Sequence, residues 1–280
     1  MYRITYVLGD LRDPEFARQA LLILLGAMVE TNVLFLRSHP RTRSVDAWLR
    51  APNSRYDDAA QGVQSAGQEA WQDVPTILRL RRDGLSTAGN RDLAAWRAAE
   101  LIVAGVPAEL KLETRGQREW RVVVVLPNGS IDDPSRGRGW RPYELAERIT
   151  FVVNLFDGEA ERELSHRTLN VLLHALTHID AIYLRRHPEV PRIRDARVRY
   201  MEEPPGAEEW QDVAACLSVG EADCEDLACW RAAELHVREG VEAVPVFRYQ
   251  RRKDGSYLYH IQVERPDGRI EDPSREQGMR

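Results

Sequence analysis

Apolar residues recur at helical spacing through Leu164, Val171, Leu172, Ala175, Ile179 and Ile182, which predicts one long helix. It should end before His187-Pro188, because a proline disfavours helical geometry in the residue preceding it. A second helix is expected from about Cys224 to Glu239, stopped by Gly240. Beyond it the period changes to two. Val241 to Tyr249 and Ser256 to Glu264 read as strands joined around Asp254-Gly255, a hairpin signal. A turn at Pro266-Asp-Gly268 then leads into a short strand, Arg269 to Asp272, stopped by Pro273. Helices ahead of an antiparallel meander predict an α+β fold.

The first half of the chain uses the same words in the same order. Asp92-Leu-Ala-Ala-Trp-Arg-Ala-Ala-Glu-Leu101 matches Asp226-Leu-Ala-Cys-Trp-Arg-Ala-Ala-Glu-Leu235 at every position but one. Trp71-Gln-Asp-Val74 recurs as Trp210-Gln-Asp-Val213, and the turn ending Asp133-Pro-Ser-Arg136 recurs as Asp272-Pro-Ser-Arg275. Arg3-Ile-Thr-Tyr6 answers Arg148-Ile-Thr-Phe151, and His39-Pro40 answers His187-Pro188. Matches spread over the whole length predict a duplicated domain, 1–140 and 146–280, with a junction near Gly139 to Glu147.

Composition narrows the class. The 280 residues are 43% apolar and 30% charged, with a net charge of -5, as in ordinary globular proteins. Lys111 and Lys253 are the only lysines, yet carboxylates neighbour most of the arginine clusters, which disfavours nucleic acid as a partner. No secretory signal is evident at the N-terminus, and the longest apolar run, Leu21 to Val29, is too short to span a bilayer. A soluble protein without a transmembrane segment is therefore expected. The three cysteines, Cys216, Cys224 and Cys229, lack both a disulfide framework and the paired two-residue gaps of a zinc site. His174 and His178 have the spacing of a metal pair but not the glutamate of a metalloprotease motif, and the first copy has no such pair.

Candidate chemistry begins at Cys224, expected in the first turn of its helix with Asp223 as N-cap. A thiol there faces the positive end of the helix dipole, although Asp223, Glu225 and Asp226 oppose its ionisation, so an imidazolium partner is required. His260 supplies one. Strand alternation puts it on one face with Leu258 and Gln262, with Tyr259, Ile261 and Val263 on the other. Asp272, on the next short strand, could orient the ring, completing nucleophile, base and orienter.

Asp223-Cys-Glu-Asp-Leu-Ala228, Tyr259-His260 and Glu271-Asp272-Pro273-Ser274 together resemble the transglutaminase-like superfamily, a branch of the papain-like cysteine-protease fold. The resemblance covers roughly 210–279 and, in degenerate form, 71–136, and is nearest to proteins of bacterial and phage genomes. It implies two tandem domains, each with helices packed on a small antiparallel sheet. It also implies amide hydrolysis or exchange on a peptide-like or protein substrate through a thioester, with no metal or organic cofactor. Trp210 and Gln211 would then stand near the oxyanion site or substrate groove, although both persist as Trp71 and Gln72 and so also fit a scaffold role.

The first copy is an internal control. Asn90 stands at the Cys224 position and Arg121 at the His260 position, while Asp133 survives at the Asp272 position. Loss of nucleophile and base together predicts an inactive first repeat. Cys216 and Cys229 match Ile77 and Ala95, which predicts packing roles. The competing expectation is a non-enzymatic binding or assembly protein, such as a phage virion component, which would place the chain in the virion rather than the cytoplasm and give it protein assembly partners.

Overall fold

The computed structural model describes residues 2–57, 68–82, 86–116, 119–142, 146–155, 161–204, 208–251 and 257–279. Its elements, in chain order, begin with β1 (Tyr2–Val7), α1 (Pro14–Ser38), α2 (Val45–Leu49), β2 (Ser54–Tyr56) and β3 (Gln68–Gln72). There follow α3 (Val74–Arg82), β4 (Ser86–Ala88), α4 (Asn90–Val103), β5 (Glu109–Arg115), β6 (Glu119–Val125), β7 (Ile131–Asp132) and β8 (Arg141–Pro142). The remainder is β9 (Arg148–Val153), α5 (Arg162–Arg186), β10 (Arg199–Tyr200), β11 (Glu209–Gln211), α6 (Val213–Val219), β12 (Glu221–Ala222), α7 (Cys224–Glu234), β13 (Val244–Arg251), β14 (Tyr257–Glu264), β15 (Ile270–Glu271) and α8 (Pro273–Glu276). The fold is mixed α+β with small sheets.

Two compact units result: Met1–Ile4 with Leu24–Ser165, and Thr5–Ile23 with His166–Arg280. In the first, β3 pairs in parallel with β9, aligning Trp71 with Phe151, whose rings lie 5.2 Å apart. In the second, Thr5–Val7 of β1 pairs in parallel with β11, aligning Tyr6 with Trp210. The Tyr6 hydroxyl donates to the Leu172 carbonyl at 2.8 Å, which satisfies a fully buried phenol. Each repeat's opening strand thus serves the unit built on the other repeat's tryptophan strand. The Trp-Gln-Asp-Val block is a strand running into a helix, with Asp73 and Asp212 as N-caps accepting from Thr76 N and Ala215 N at 2.9 and 2.8 Å. Burial pushes both carboxyls up to about 6.

Within each unit an antiparallel meander packs on the conserved helix. In the first, β5, β6 and β7 lie in order and α4 covers β6, so that Val122, Val123, Val124, Leu93 and Trp96 are fully buried. In the second, β13, β14 and β15 are ordered likewise and α7 packs on β14, where Ile261 and Val263 are buried, while Leu227 and Trp230 of α7 lie in a core with Leu184, Ile193 and Val213. β13 begins at Val244, three residues later than the alternation suggested, and the Asp254-Gly255 turn lies outside the described residues. α7 gives way to a π-helical turn at Leu235–Glu239 before the left-handed Gly240. The second repeat has one residue more between its helix start and that glycine than the first has before Gly105, and the wider turn takes it up.

The apolar run Leu21 to Val29 proves to be the middle of a much longer helix. α1 has 25 residues and an 18-residue window of mean hydropathy 1.8, so by length and composition alone it could cross a membrane. The helix outruns the apolar run because polar residues such as Gln19 and Glu30 interrupt the run without ending the helix. In the structure 61% of that window is buried, as in the core helix of a globular protein.

Candidate active site

Cys224 is the first residue of α7, and Asp223 is its N-cap. Asp223 and Asp226 form a reciprocal capping box, which fixes the helix start, and Asp226 also accepts from Gln211 N at 2.7 Å. α7 packs on β14, and the backbone N–H of Ile261 reaches the Cys224 sulfur. The thiol itself donates to Glu225 Oε2 at 2.8 Å. Burial, and then the charges of Glu225 and Asp223, push the thiol well above its ordinary range, while the Ile261 N–H acts in the opposite sense.

His260 and Asp272 do meet. His260 Nε2 lies 3.0 Å from Asp272 Oδ1, and the Gln262 amide donates to Asp272 Oδ2 at 3.0 Å. Burial opposes the charge on Asp272, but Gln262 and the His260 ring outweigh it, and the carboxyl sits below its usual value. Asp272 also caps α8 by accepting from Arg275 N at 3.3 Å. The other ring nitrogen, His260 Nδ1, is buried without a hydrogen-bond partner, so no hydrogen bond joins it to Cys224. Sequence alternation is respected: His260 and Gln262 share Asp272, while Ile261 and Val263 are buried on the opposite face.

Gln211 is tied to the start of α7, and Trp210 is packed behind it in the core. The Gln211 amide donates to Asp226 Oδ2 at 3.3 Å and to the Glu221 carbonyl at 3.4 Å, and Trp210 is buried edge-on to Tyr6. In the first copy the Gln72 side-chain amide donates to the Thr87 carbonyl at 3.4 Å, and Gln72 N donates to Asp92 Oδ1 at 3.0 Å as Gln211 N does to Asp226 Oδ1. These residues tie strand to helix in both copies. Cys216 and Cys229 are fully buried, in line with packing roles. Among the described residues no group of three or more His, Cys, Asp or Glu could hold a metal ion.

The first copy rebuilds the same place from other bonds. The Asn90 amide donates to the Val122 carbonyl at 2.9 Å and accepts from Val122 N at 2.7 Å, filling the strand edge that Cys224 meets at Ile261. Arg121 donates to Asp133 Oδ2 at 2.6 Å and to Glu113 Oε2 at 2.6 Å, replacing the His260–Asp272 pair by an ion-pair network. Arg91, at the Glu225 position, is buried, pairs with Glu69 and lies 4.7 Å over the Trp120 ring. In the second copy Glu208 stands at the Glu69 position and faces Glu225, two like charges where the first has an ion pair. This contrast was legible in the sequence as a charge change but not as a contact.

No family model matches the chain, and no curated protein or solved structure matches it.

Proposed function

We propose that the second unit is a cysteine-nucleophile hydrolase or acyl transferase of the transglutaminase-like kind, acting on a peptide-like amide, and that the first repeat is its inactive homologue. The observation that carries this reading is the His260 ring. It is oriented through Nε2 by Asp272 and presents a buried, unpartnered Nδ1 on the strand whose next residue contacts the Cys224 sulfur. The reading requires the thiol to turn from Glu225 towards that nitrogen.

Sulfur then bonds to the substrate carbonyl carbon as His260 takes the thiol proton. The amide C–N bond breaks, and the amine leaves with that proton. Water or a second amine attacks the thioester, His260 takes the proton of the attacking group, and the thiol is restored. Neither metal nor organic cofactor is required by this chemistry.

A second reading, a binding or assembly protein on a reused protease scaffold, such as a virion component, is favoured by the Glu225 hydrogen bond, whose carboxylate opposes ionisation of the thiol. In either case the burial of α1 supports a soluble protein, cytoplasmic or virion-borne. The experiment is turnover of a peptide and isopeptide library by the full chain, read by mass spectrometry. Product formation abolished in both Cys224→Ala and His260→Ala supports the enzyme. Absence of product, with any binding unaffected by Cys224→Ala, supports the scaffold.

A further inference from the structure

The first copy contains a segment that runs across its own inactive site. After the Asp133 turn the chain passes Asn90 at Gly139 and enters β8, which pairs antiparallel with β6 (Trp120 with Arg141, Glu119 with Pro142). Gly139 has φ of +89°, and a Cβ there would overlap Asn90 Cβ and Cγ, so both backbone and space demand glycine. Ser135 Oγ accepts from the Asn90 amide at 3.3 Å and lies within reach of two acceptors, Asp133 Oδ1 at 2.5 Å and the Arg138 carbonyl at 2.9 Å, which places the passing chain beside the nucleophile position.

In the second copy the described counterpart of this segment, Gln277-Gly278-Met279, runs elsewhere: the Gln277 carbonyl accepts from Tyr200 N at 3.0 Å, and a Cβ at Gly278 would meet nothing within 4 Å. Ser274, the counterpart of Ser135, is fully buried and its Oγ has no partner. His260 Nδ1 lacks a partner as well. Among the described residues the sheet holds β13, β14 and β15, and β15 meets β14 only at Val263 and Glu264, so no strand takes the place of β8. Tyr259, at the Trp120 position, is 57% exposed, against 2% for Trp120. Asp223 and Glu225 flank the sulfur where the first copy has Gly89 and Arg91.

We infer that the second unit takes an extended, glycine-containing peptide that adds as an antiparallel strand to the N-terminal half of β14, as β8 adds to β6. The glycine lies over Cys224, since Asn90 and Cys224 are first residues of corresponding helices and a side chain on the ligand would meet the same Cβ. The residue before it offers its carbonyl to Ser274 Oγ, and the residue two after it lies beside Tyr259. A basic residue next to the glycine suits the Asp223 and Glu225 carboxylates. Strand addition of this kind takes its affinity from backbone pairing and its specificity from the few positions that tolerate one side chain.

This deepens the hydrolase reading and rests on it for the fate of the peptide, but binding can be tested apart from chemistry. The probe is an acetylated, fluorescein-labelled peptide with the chain's own sequence 136–143, Arg-Gly-Arg-Gly-Trp-Arg-Pro-Tyr, titrated into full-length Cys224→Ser protein. Saturable binding is expected, at least tenfold weaker when the glycine of position 139 is replaced by alanine and several-fold weaker in a Ser274→Ala background. Hydrogen exchange should show protection of Tyr257–His260 on binding. Equal binding of the alanine peptide, protection elsewhere, or no binding overturns the inference. Binding as described without turnover by the unsubstituted protein contradicts the hydrolase and leaves the docking mode standing. Turnover of an unrelated amide without binding of this peptide does the reverse.

Discussion

The two helix starts, Gly89-Asn90-Arg91 and Asp223-Cys224-Glu225, occupy the same position in the same pattern of elements and are held there in opposite ways. At the first, every change closes a bond: Asn90 to the Val122 backbone, Arg121 to Asp133, Arg91 to Glu69. At the second, like charges crowd the sulfur, and two buried polar atoms, His260 Nδ1 and Ser274 Oγ, go without partners. Each such atom costs about 1–3 kcal/mol, and both units carry others, Trp120 Nε1 in the first and Trp230 Nε1 in the second.

The contrast is broken most severely at Asn90. Asn90→Ala strands a buried N–H and C=O of Val122, and urea denaturation should report a loss of about 2–4 kcal/mol. Cys224→Ala gives up a single thiol and should cost about 1 kcal/mol or less by the same assay. Equal losses would show that both positions are structural. A smaller effect is expected at Asp180, which accepts from Val213 N at 2.9 Å, as Asn32 does from Val74 N at 2.9 Å. Burial, and then Asp212, raise the Asp180 carboxyl well above its ordinary value. A raised carboxyl gives stability that is present in acid, below its unfolded value, and is lost as pH rises through the folded one. Asp180→Asn should therefore raise Tm by a few degrees, about 1 kcal/mol, at pH 7.5 and leave it nearly unchanged near pH 3.5. The smallest change is at Glu225. Glu225→Gln removes the anion that opposes the thiolate, so alkylation of Cys224 by iodoacetamide at pH 8 should accelerate about tenfold, one unit in thiol pKa, with Cys216 and Cys229 unaffected. No acceleration would mean that burial alone controls the sulfur.

The second half of the fold was largely legible because its signals are local. α7 with its Asp223 cap, the Gly240 stop and the two strands of the β13–β14 pair follow from capping residues, a glycine and period-two alternation. The pairing of Tyr6 with Trp210 was not legible, since parallel partners distant in sequence leave no local mark. Nor was the length of α1, because its polar interruptions break an apolar run but not a helix. At the site, Cys224, His260 and Asp272 could be nominated from spacing, and the His260–Asp272 contact followed. Glu225 was foreseen as a charge opposing ionisation but not as the acceptor of the thiol proton, which depends on a rotamer. Ser274 carries no distinguishing mark in the sequence because it is common to both copies, and its meaning lies in Ser135 having a partner that Ser274 lacks.

The most direct test of the account is whether Cys224 depends on His260 for its reactivity. Acylation by the p-nitrophenyl ester of acetylglycine, followed by the mass of the intact protein, should place a single acetylglycyl group on Cys224. The rate should fall about 100-fold in His260→Gln, the loss expected when a general base is removed. Acylation at the same rate in His260→Gln would contradict the account and leave Cys224 an ordinary buried thiol.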